Sequence, residues 1–289
     1  MKVHTVRGGG GVELHVREWG RSTGIPILFI HGWSQNHLCW MKQCDSWLGN
    51  EFRLIAFDLR GHGMSEAPRQ AEHYTDGRKW AEDIAAIMDQ LSLERPVVVG
   101  WSYGGFVILD YVARYGQRNL GGINFVAATV VLGEKALGSL IGPGFLENAP
   151  GACDPDVPTQ IAAMRRFLQA CLVKPIGEAE REVTFAFNMI VAPDVRALLL
   201  QRELDFATVL ANLTVPVLVT HGRSDTVVLP TMANYIAQHC NGAQIAWYDG
   251  VGHAPFLEQP QRFNDELARF AAGMQSDDGY GPWRIFAAL

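Results

Sequence analysis

Short, continuous apolar runs alternate with amphipathic segments through most of this chain. Such runs are typical of strands buried on both faces of a sheet. The segments between them place apolar residues at helical spacing, as in the stretch 76–91, where Asp76 can cap the first turn. We therefore predict a mostly parallel sheet flanked by helices, preceded by an N-terminal hairpin. The apolar runs are PILFIHG, FRLIAFD, PVVVGW, INFVAAT, VPVLVTHG and AQIAWYD.

The alternation stops near Leu132 and resumes after Leu213. The segment between them contains Pro/Gly-rich loops and helical stretches, and it shows no convincing strands. It begins directly after the sixth predicted strand. Loops that follow parallel strands gather at the carboxyl edge of the sheet, where ligands bind, so we expect 132–213 to form a helical cap over that edge. Residues 1–131 and 214–289 would then form the core.

Composition narrows the range of functions and partners. The 289 residues are 48% hydrophobic and 19% charged, with a net charge of −6 and no basic cluster, which argues against nucleic-acid binding. Five scattered cysteines without a CxxC pair predict reduced thiols in a cytoplasmic protein. No apolar run is long enough to span a bilayer, so we expect no membrane association. We expect the tail 275–289 to dock on the body or on a neighbouring subunit, which makes a homo-oligomer possible.

A serine lies where one buried strand must turn sharply into a helix. The sequence there is Gly100-Trp101-Ser102-Tyr103-Gly104, with VVVGW before it and an apolar helical stretch after it. A Gly-x-Ser-x-Gly pattern in this setting is a nucleophile elbow, whose strained backbone exposes the hydroxyl at the carboxyl edge of the sheet. We therefore predict that Ser102 is a nucleophile.

A serine nucleophile needs a base and an acid that orients the base. We assign these roles to His253, in the loop after the last predicted strand, and to Asp225, in the loop after the preceding strand. His31 and His221 each end a strand in a His-Gly pair, and we interpret them as loop-shaping residues. We interpret Asp58 as a structural group that ties its own loop.

Two backbone amides would stabilise the oxyanion of a tetrahedral intermediate. The N–H of Tyr103 follows the elbow serine, and the N–H of Trp33 follows the strand PILFI. Aromatic side chains near these motifs favour an apolar or aromatic substrate. We therefore predict that Trp33, Trp101, Tyr103 and Phe256 contact the substrate.

These motifs together resemble the α/β-hydrolase superfamily over nearly the whole chain. The resemblance is carried by HGWS at 31–34, FDLRGHGMS at 57–65, GWSYGG at 100–105, HGRSD at 221–225 and GHAPFLEQP at 252–260. It implies an α/β-hydrolase fold with a helical cap inserted after the sixth strand. The branch it is most similar to contains small carboxylesterases, lactonases and cofactor-free haloperoxidases or perhydrolases. Tyr103 stands where that branch usually has Met, which leaves the shape of the acyl pocket open.

The resemblance and the assigned residues imply a serine hydrolase that cleaves small-molecule carboxylic esters through an acyl-enzyme, with no metal and no organic cofactor. Three alternatives remain open at this point. The same triad cleaves carbon–carbon bonds of vinylogous diketones in some relatives. Others are cofactor-free dioxygenases of quinolone-type compounds, whose acid is expected after the sixth strand, where this chain has none until Glu134. A non-catalytic binding protein on the same fold is the third.

Overall fold

Residues 1–273 are described by a computed structural model. The tail 275–289, for which we predicted docking, lies outside the described residues. The strands are β1 (Lys2–Arg7), β2 (Glu13–Gly20), β3 (Pro26–Ile30), β4 (Arg53–Phe57), β5 (Val97–Trp101), β6 (Gly122–Val126), β7 (Val131–Leu132), β8 (Leu204–Asp205), β9 (Val217–Gly222) and β10 (Gln244–Tyr248).

Helices connect these strands and fill the stretch between β7 and β8. The helices are α1 (Met41–Cys44), α2 (Glu72–Thr75), α3 (Gly77–Gln90), α4 (Gly104–Tyr115), α5 (Pro143–Leu146), α6 (Ala149–Ala152), α7 (Val157–Ala170), α8 (Glu178–Met189), α9 (Pro193–Leu199), α10 (Ala207–Ala211), α11 (Pro230–His239), α12 (Pro255–Glu258) and α13 (Pro260–Ala272). In the part of the chain described here, no helix is both long and apolar enough to cross a membrane.

Eight of the strands form one sheet in the order β1-β2-β4-β3-β5-β6-β9-β10. The pairs β1–β2 and β2–β4 are antiparallel, and every other neighbouring pair is parallel. The carboxyl ends of β3, β5, β6 and β9 therefore meet at one edge. This confirms the predicted mostly parallel sheet flanked by helices.

Strand β3 shows why its apolar run is continuous. Leu28 and Ile30 are buried in the core on one face of the sheet, whereas Ile27 and Phe29 are buried in the core on the other. A strand with only one buried face would alternate apolar and polar residues. Helix α3 covers one of these faces, and the carboxylate of Asp76 caps it by accepting a hydrogen bond from Arg78 N at 2.9 Å, as the sequence predicted.

The segment 132–213 is mostly helical, as expected, but the expectation that it contains no convincing strand was wrong, because it includes β8. Strand β8 pairs antiparallel with β7, so that Leu204 faces Leu132 and Asp205 faces Val131. Strands of two residues have no hydrophobic period, and they form here because the two ends of the segment lie side by side. The pairing closes the segment at its base.

Candidate active site

Ser102 occupies the turn between β5 and α4 with a φ of +53°. This left-handed conformation is unfavourable for a residue with a Cβ atom, so neighbouring groups must hold it. Ser102 N donates to Val126 O at 3.1 Å, and Ser102 O accepts from Gly105 N and from both Thr129 N and Thr129 Oγ1 at 3.0 Å. The strain is therefore fixed by backbone bonds to the end of β6 and the loop beyond it.

The glycines around Ser102 allow the close approach that the turn needs. A Cβ atom on Gly104 would lie 2.7 Å from Ile30 O, and one on Gly100 would lie 2.6 Å from Ile108 Cδ1. A Cβ atom on Gly32 would lie 3.0 Å from Ser102 Cβ. The loop that follows β3 therefore packs directly against the elbow.

His253 and Asp225 form a buried pair. His253 Nδ1 lies 2.8 Å from Asp225 Oδ2, while Asp225 Oδ1 accepts hydrogen bonds from Val227 N and Val228 N. Burial by itself raises the pKa of Asp225, but the nearby His253 and hydrogen bonds from His221 and His253 outweigh it and lower the pKa to about 2. The carboxylate is ionised at neutral pH and fixes the orientation of the His253 ring.

The residue before Ser102 connects the elbow to His253. Trp101 Nε1 donates to His253 O at 2.8 Å, and the two rings lie 5.5 Å apart. Within residues 1–273, the hydroxyl of Ser102 makes no hydrogen bond, and its side chain is partly exposed. Hydrogen bonds between a nucleophile and its base are often long before substrate binds. The hydroxyl is thus free to meet a substrate.

The amides of Trp33 and Tyr103 belong to the two segments that meet at this elbow: Trp33 follows Gly32, which packs against Ser102, and Tyr103 follows Ser102 itself. Neither N–H donates to another protein group among residues 1–273. Tyr103 is the residue that precedes α4, so its amide also lies at the positive end of the helix dipole. Two unpaired amides beside a serine hydroxyl can stabilise a negative oxygen.

Two buried histidines shape the loops below Trp33. His31 Nε2 accepts from Leu59 N at 2.9 Å, and His62 Nε2 accepts from Ser34 N at 3.3 Å. Burial lowers the pKa of His31 to about 3 and that of His62 to about 4. Both rings therefore stay neutral and act as acceptors, in keeping with a loop-shaping role for His31.

The chain matches the model of the Alpha/beta hydrolase family over residues 27–266. This chain belongs to the alpha/beta hydrolase family. The crystal structure of an esterase from Rhodococcus sp. ECU1013 is 34% identical and covers 95% of this chain and 100% of its own, with a TM-score of 0.89. A non-heme chloroperoxidase of Streptomyces lividans is 28% identical over 92% of this chain and 98% of its own length. A bifunctional esterase/perhydrolase of Acinetobacter calcoaceticus is 26% identical over 90% and 96%.

These similarities confirm the superfamily and the fold that the motifs implied, and they identify the protein as a hydrolase of this family. Of the four aromatic residues predicted to contact substrate, only Trp101 lines the large cavity beside the elbow.

The other three aromatic side chains are engaged elsewhere. Trp33 donates through Nε1 to Arg196 O at 3.1 Å, and Tyr103 donates through its hydroxyl to Leu199 O at 3.3 Å. Phe256 is fully buried, with its ring 4.2 Å from that of Trp40. Their role in substrate contact stays a prediction.

In this alpha/beta hydrolase, a cavity of about 870 Å³ lies between the core and the helices α7 and α8. Trp101 and Ala254 line it, and they adjoin Ser102 and His253 in the chain, although neither Ser102 nor His253 lines it. Most of its lining side chains are apolar. Lys42 and Glu180 also line it and form an ion pair at 2.9 Å. Apolar lining residues include Leu38, Met41, Leu168, Leu172, Ile176 and Phe187.

Glu258 fixes the His253 loop to the segment that leads out of α7. Its Oε1 accepts from Gly252 N at 2.7 Å, and its Oε2 accepts from Val173 N at 3.0 Å and Lys174 N at 2.9 Å. His253 N adds a hydrogen bond to Cys171 O at 2.8 Å. The sequence analysis did not single out Glu258, although it lies in the GHAPFLEQP motif, five residues after His253.

His221 was assigned only a loop-shaping role, yet it also approaches Asp225. Its Nε2 lies 2.9 Å from Val228 O and 3.3 Å from Asp225 Oδ2. The short spacing of four residues between His221 and Asp225 was the sequence signal for this contact. The loop between them folds back far enough to bring the two side chains together.

One group of side chains has the spacing of metal ligands. His15, His37 and Asp58 place ligand atoms within 4.8 Å of one another. Asp58 Oδ1 already accepts from both His37 N and His37 Nδ1, and Arg17 Nε donates to His15 Nε2 at 3.2 Å. A guanidinium at one ligand atom repels a cation, so we interpret this group as a hydrogen-bonded network that ties the loop of Asp58.

Proposed function

We propose that the protein hydrolyses carboxylic esters through an acyl-enzyme on Ser102. The observation that carries this proposal is the strained φ of +53° at Ser102, in a turn whose Trp101 is hydrogen-bonded to His253, the partner of Asp225. The identity of 34% with an esterase over nearly the whole chain supports the same reaction class.

In the proposed first step, Ser102 Oγ attacks the ester carbonyl while His253 Nε2 takes the hydroxyl proton. The negative oxygen of the tetrahedral intermediate accepts hydrogen bonds from Trp33 N and Tyr103 N. His253 then gives its proton to the leaving alcohol. In the second step, His253 takes a proton from water as the water oxygen attacks the acyl group, and it returns this proton to Ser102 Oγ when the bond between Ser102 and the acyl carbon breaks and the acid leaves. Asp225 keeps the ring oriented throughout.

We further propose that residues 132–213 act as a cap on a core formed by 1–131 and 214–289, and that the cavity between them receives an apolar part of the substrate. Its apolar lining and its volume suit an aryl group or an aliphatic chain. The substrate is then an apolar ester whose carbonyl lies at Ser102.

Labelling with a fluorophosphonate tests the nucleophile, and an ester panel tests the reaction. We expect the native protein to be labelled once, Ser102→Ala to remain unlabelled, and aryl and aliphatic esters to be hydrolysed. Vinylogous diketones assayed in parallel separate the carbon–carbon hydrolase alternative. Labelling without turnover of any ester would favour that alternative or a binding role, whereas labelling of Ser102→Ala would refute the assigned nucleophile.

A further inference from the structure

Arg196 is a fully buried arginine without a carboxylate partner. It lies in α9, and its guanidinium donates to Ser34 Oγ, Ala152 O, Gln160 Oε1 and Asn188 O at 2.7 to 3.2 Å. Within residues 1–273, no Asp or Glu oxygen lies within 4.0 Å of it.

Burying an unpaired cation is costly, so its position needs a reason. Burial lowers the pKa of Arg196 to about 10, which leaves the group charged at neutral pH. The most direct consequence of its position is the contact with the loop that carries the Trp33 amide.

Arg196 holds that loop at two successive residues. Its carbonyl accepts from Trp33 Nε1 at 3.1 Å, and its Nε donates to Ser34 Oγ at 2.9 Å. Ser34 Oγ in turn donates to Asn188 O at 3.1 Å, which Arg196 Nη2 also binds at 2.7 Å. One residue of the segment 132–213 thus contacts the side chains on both sides of the peptide bond between Trp33 and Ser34.

The backbone of Ser34 is strained, so its contact with Arg196 matters for the shape of the loop. Its φ of +63° is left-handed, so the loop needs fixed partners to keep this shape. From the core side, Ser34 N donates to His62 Nε2. From the side of α9, the partner is Arg196. Without Arg196, the strain at Ser34 can relax by turning the peptide plane between Trp33 and Ser34. The backbone angles of Trp33 then adjust, and they reorient the preceding peptide plane, which carries the Trp33 N–H.

We propose that Arg196 is a positioning residue for the oxyanion site: through its contacts with Trp33 and Ser34, it holds the Trp33 amide towards the reacting oxygen. This inference rests on the proposed ester hydrolysis. It predicts that the segment 132–213 contributes to the chemical step through Arg196, in addition to lining the cavity.

The test compares Arg196→Met and Arg196→Lys with the wild type. Methionine fills much of the same space without charge or donors, whereas lysine keeps the charge but loses the planar set of donors. We expect kcat for an aryl ester to fall about 10- to 100-fold in Arg196→Met and less in Arg196→Lys, with KM within about twofold. Affinity for an aryl boronic acid, which forms a tetrahedral adduct on the serine, should fall in parallel with kcat.

A control shows whether loosening of the helical segment alone explains the loss. Arg166, on α7, is exposed and donates to Asn148 Oδ1 at 3.1 Å within the same segment. Arg166→Met should leave kcat and boronic-acid affinity unchanged. If Arg196→Met raises KM at constant kcat, or changes neither quantity, the inference is wrong.

Ser34→Ala provides a second route if Arg196→Met does not fold. Alanine keeps the strain of a φ of +63° but has no hydroxyl, so this variant removes the contact with Arg196 and leaves the strained turn without that support. We expect a roughly tenfold lower kcat and, in the double variant with Arg196→Lys, less than the product of the two single effects. Additive effects would contradict a shared mechanism. Absence of fluorophosphonate labelling and turnover in the wild type would instead refute the proposed function, so the two failures are distinguishable.

Discussion

The loops at the carboxyl edge of the sheet and the cavity wall formed by α7 and α8 are built in different ways. In the loops, single polar atoms have fixed partners, as in the 2.8 Å contact between His253 and Asp225. In the cavity wall, apolar side chains predominate, and some, such as Val183, are about half exposed. The function of the loops depends on the positions of individual polar atoms, whereas the function of the wall depends on the shape of the cavity.

This difference predicts two kinds of effect of substitutions on activity. A change in the loops should slow every substrate, because the reacting atoms are common to all esters. A change in the wall should alter the preference among esters, because it touches only the parts that differ. The following predictions test this separation.

Replacement of Ser102 by Ala should have the largest effect. Because Ser102 is assigned the covalent step, we expect turnover to fall by roughly 10⁴-fold or more for every ester tested. Stopped assays on an ester panel measure this, with circular dichroism as the control for folding. Activity above a hundredth of the wild type would indicate another nucleophile.

Replacement of Asp225 by Asn should lower kcat about 10³- to 10⁴-fold, again uniformly across esters. The amide of asparagine cannot stabilise the charged imidazole, and it favours the wrong tautomer of His253. Steady-state kinetics on aryl and aliphatic esters measure the loss. A mild loss would show that another carboxylate orients His253. His221, which also contacts Asp225, cannot replace it as the acid.

The same substitution should change the acid sensitivity of folding. Asp225 has a folded pKa of about 2, below its ordinary value of 3.8, so its stabilising contribution is complete above about pH 4 and is lost as the pH falls towards 2. Urea unfolding at pH 5 and pH 3 should therefore show a greater loss for the wild type than for Asp225→Asn, by about 1 to 2 kcal/mol. Equal losses would contradict the lowered pKa.

Adjacent residues on α7 allow a matched test of the cavity wall. Leu168 lines the cavity, whereas Phe167 packs edge-on against Trp33 with ring centres 5.4 Å apart and does not line it. Leu168→Ala should change the rank order of esters of increasing acyl length by about three- to tenfold in kcat/KM. Phe167→Ala should mainly lower stability, by about 3 kcal/mol or more.

The outcome for a third residue sharpens this test. Phe187 lines the cavity from α8, so Phe187→Ala should also alter the rank order. Uniform effects of Leu168→Ala and Phe187→Ala on all esters would show that the wall does not select substrates, and would leave the roles of Ser102 and His253 intact.

The smallest effect should come from the ion pair at the cavity. Lys42 and Glu180 are each about a third exposed, so water screens their attraction. Glu180→Gln should change kcat/KM for neutral esters by less than about twofold, and the change should shrink at high salt. A tenfold effect would mean that Glu180 contacts the substrate itself.

The sheet could be predicted from the sequence because its pattern is local. Continuous runs such as PILFI encode burial on both faces, and the carboxyl ends of parallel strands must meet at one edge. This reasoning also located the loops of Asp225 and His253, which the structure joins by a hydrogen bond. The pairing of β7 with β8 lacked such a signal, since two residues define no period.

The contacts of the segment 132–213 could not be predicted for a different reason. Arg196 follows an exposed Asp194 in an ordinary amphipathic stretch, where an arginine usually faces water. Its burial depends on acceptors that lie up to 162 residues away in the chain. Phe256 is the opposite case. Its place in a motif predicted contact with the substrate, but an aromatic residue near a motif can equally fill the core, and Phe256 is fully buried.

The carboxylate of Glu258 limits how the segment 132–213 can be exchanged in a chimaera. It joins Gly252, beside the proposed base, to successive amides at Val173 and Lys174. A transplanted segment would therefore have to present two amides at the same place. A segment that fails to do so leaves the His253 loop without this support, so we expect the chimaera to turn over its substrates more slowly. Chimaeras that retain residues 171–174 of this chain avoid that loss.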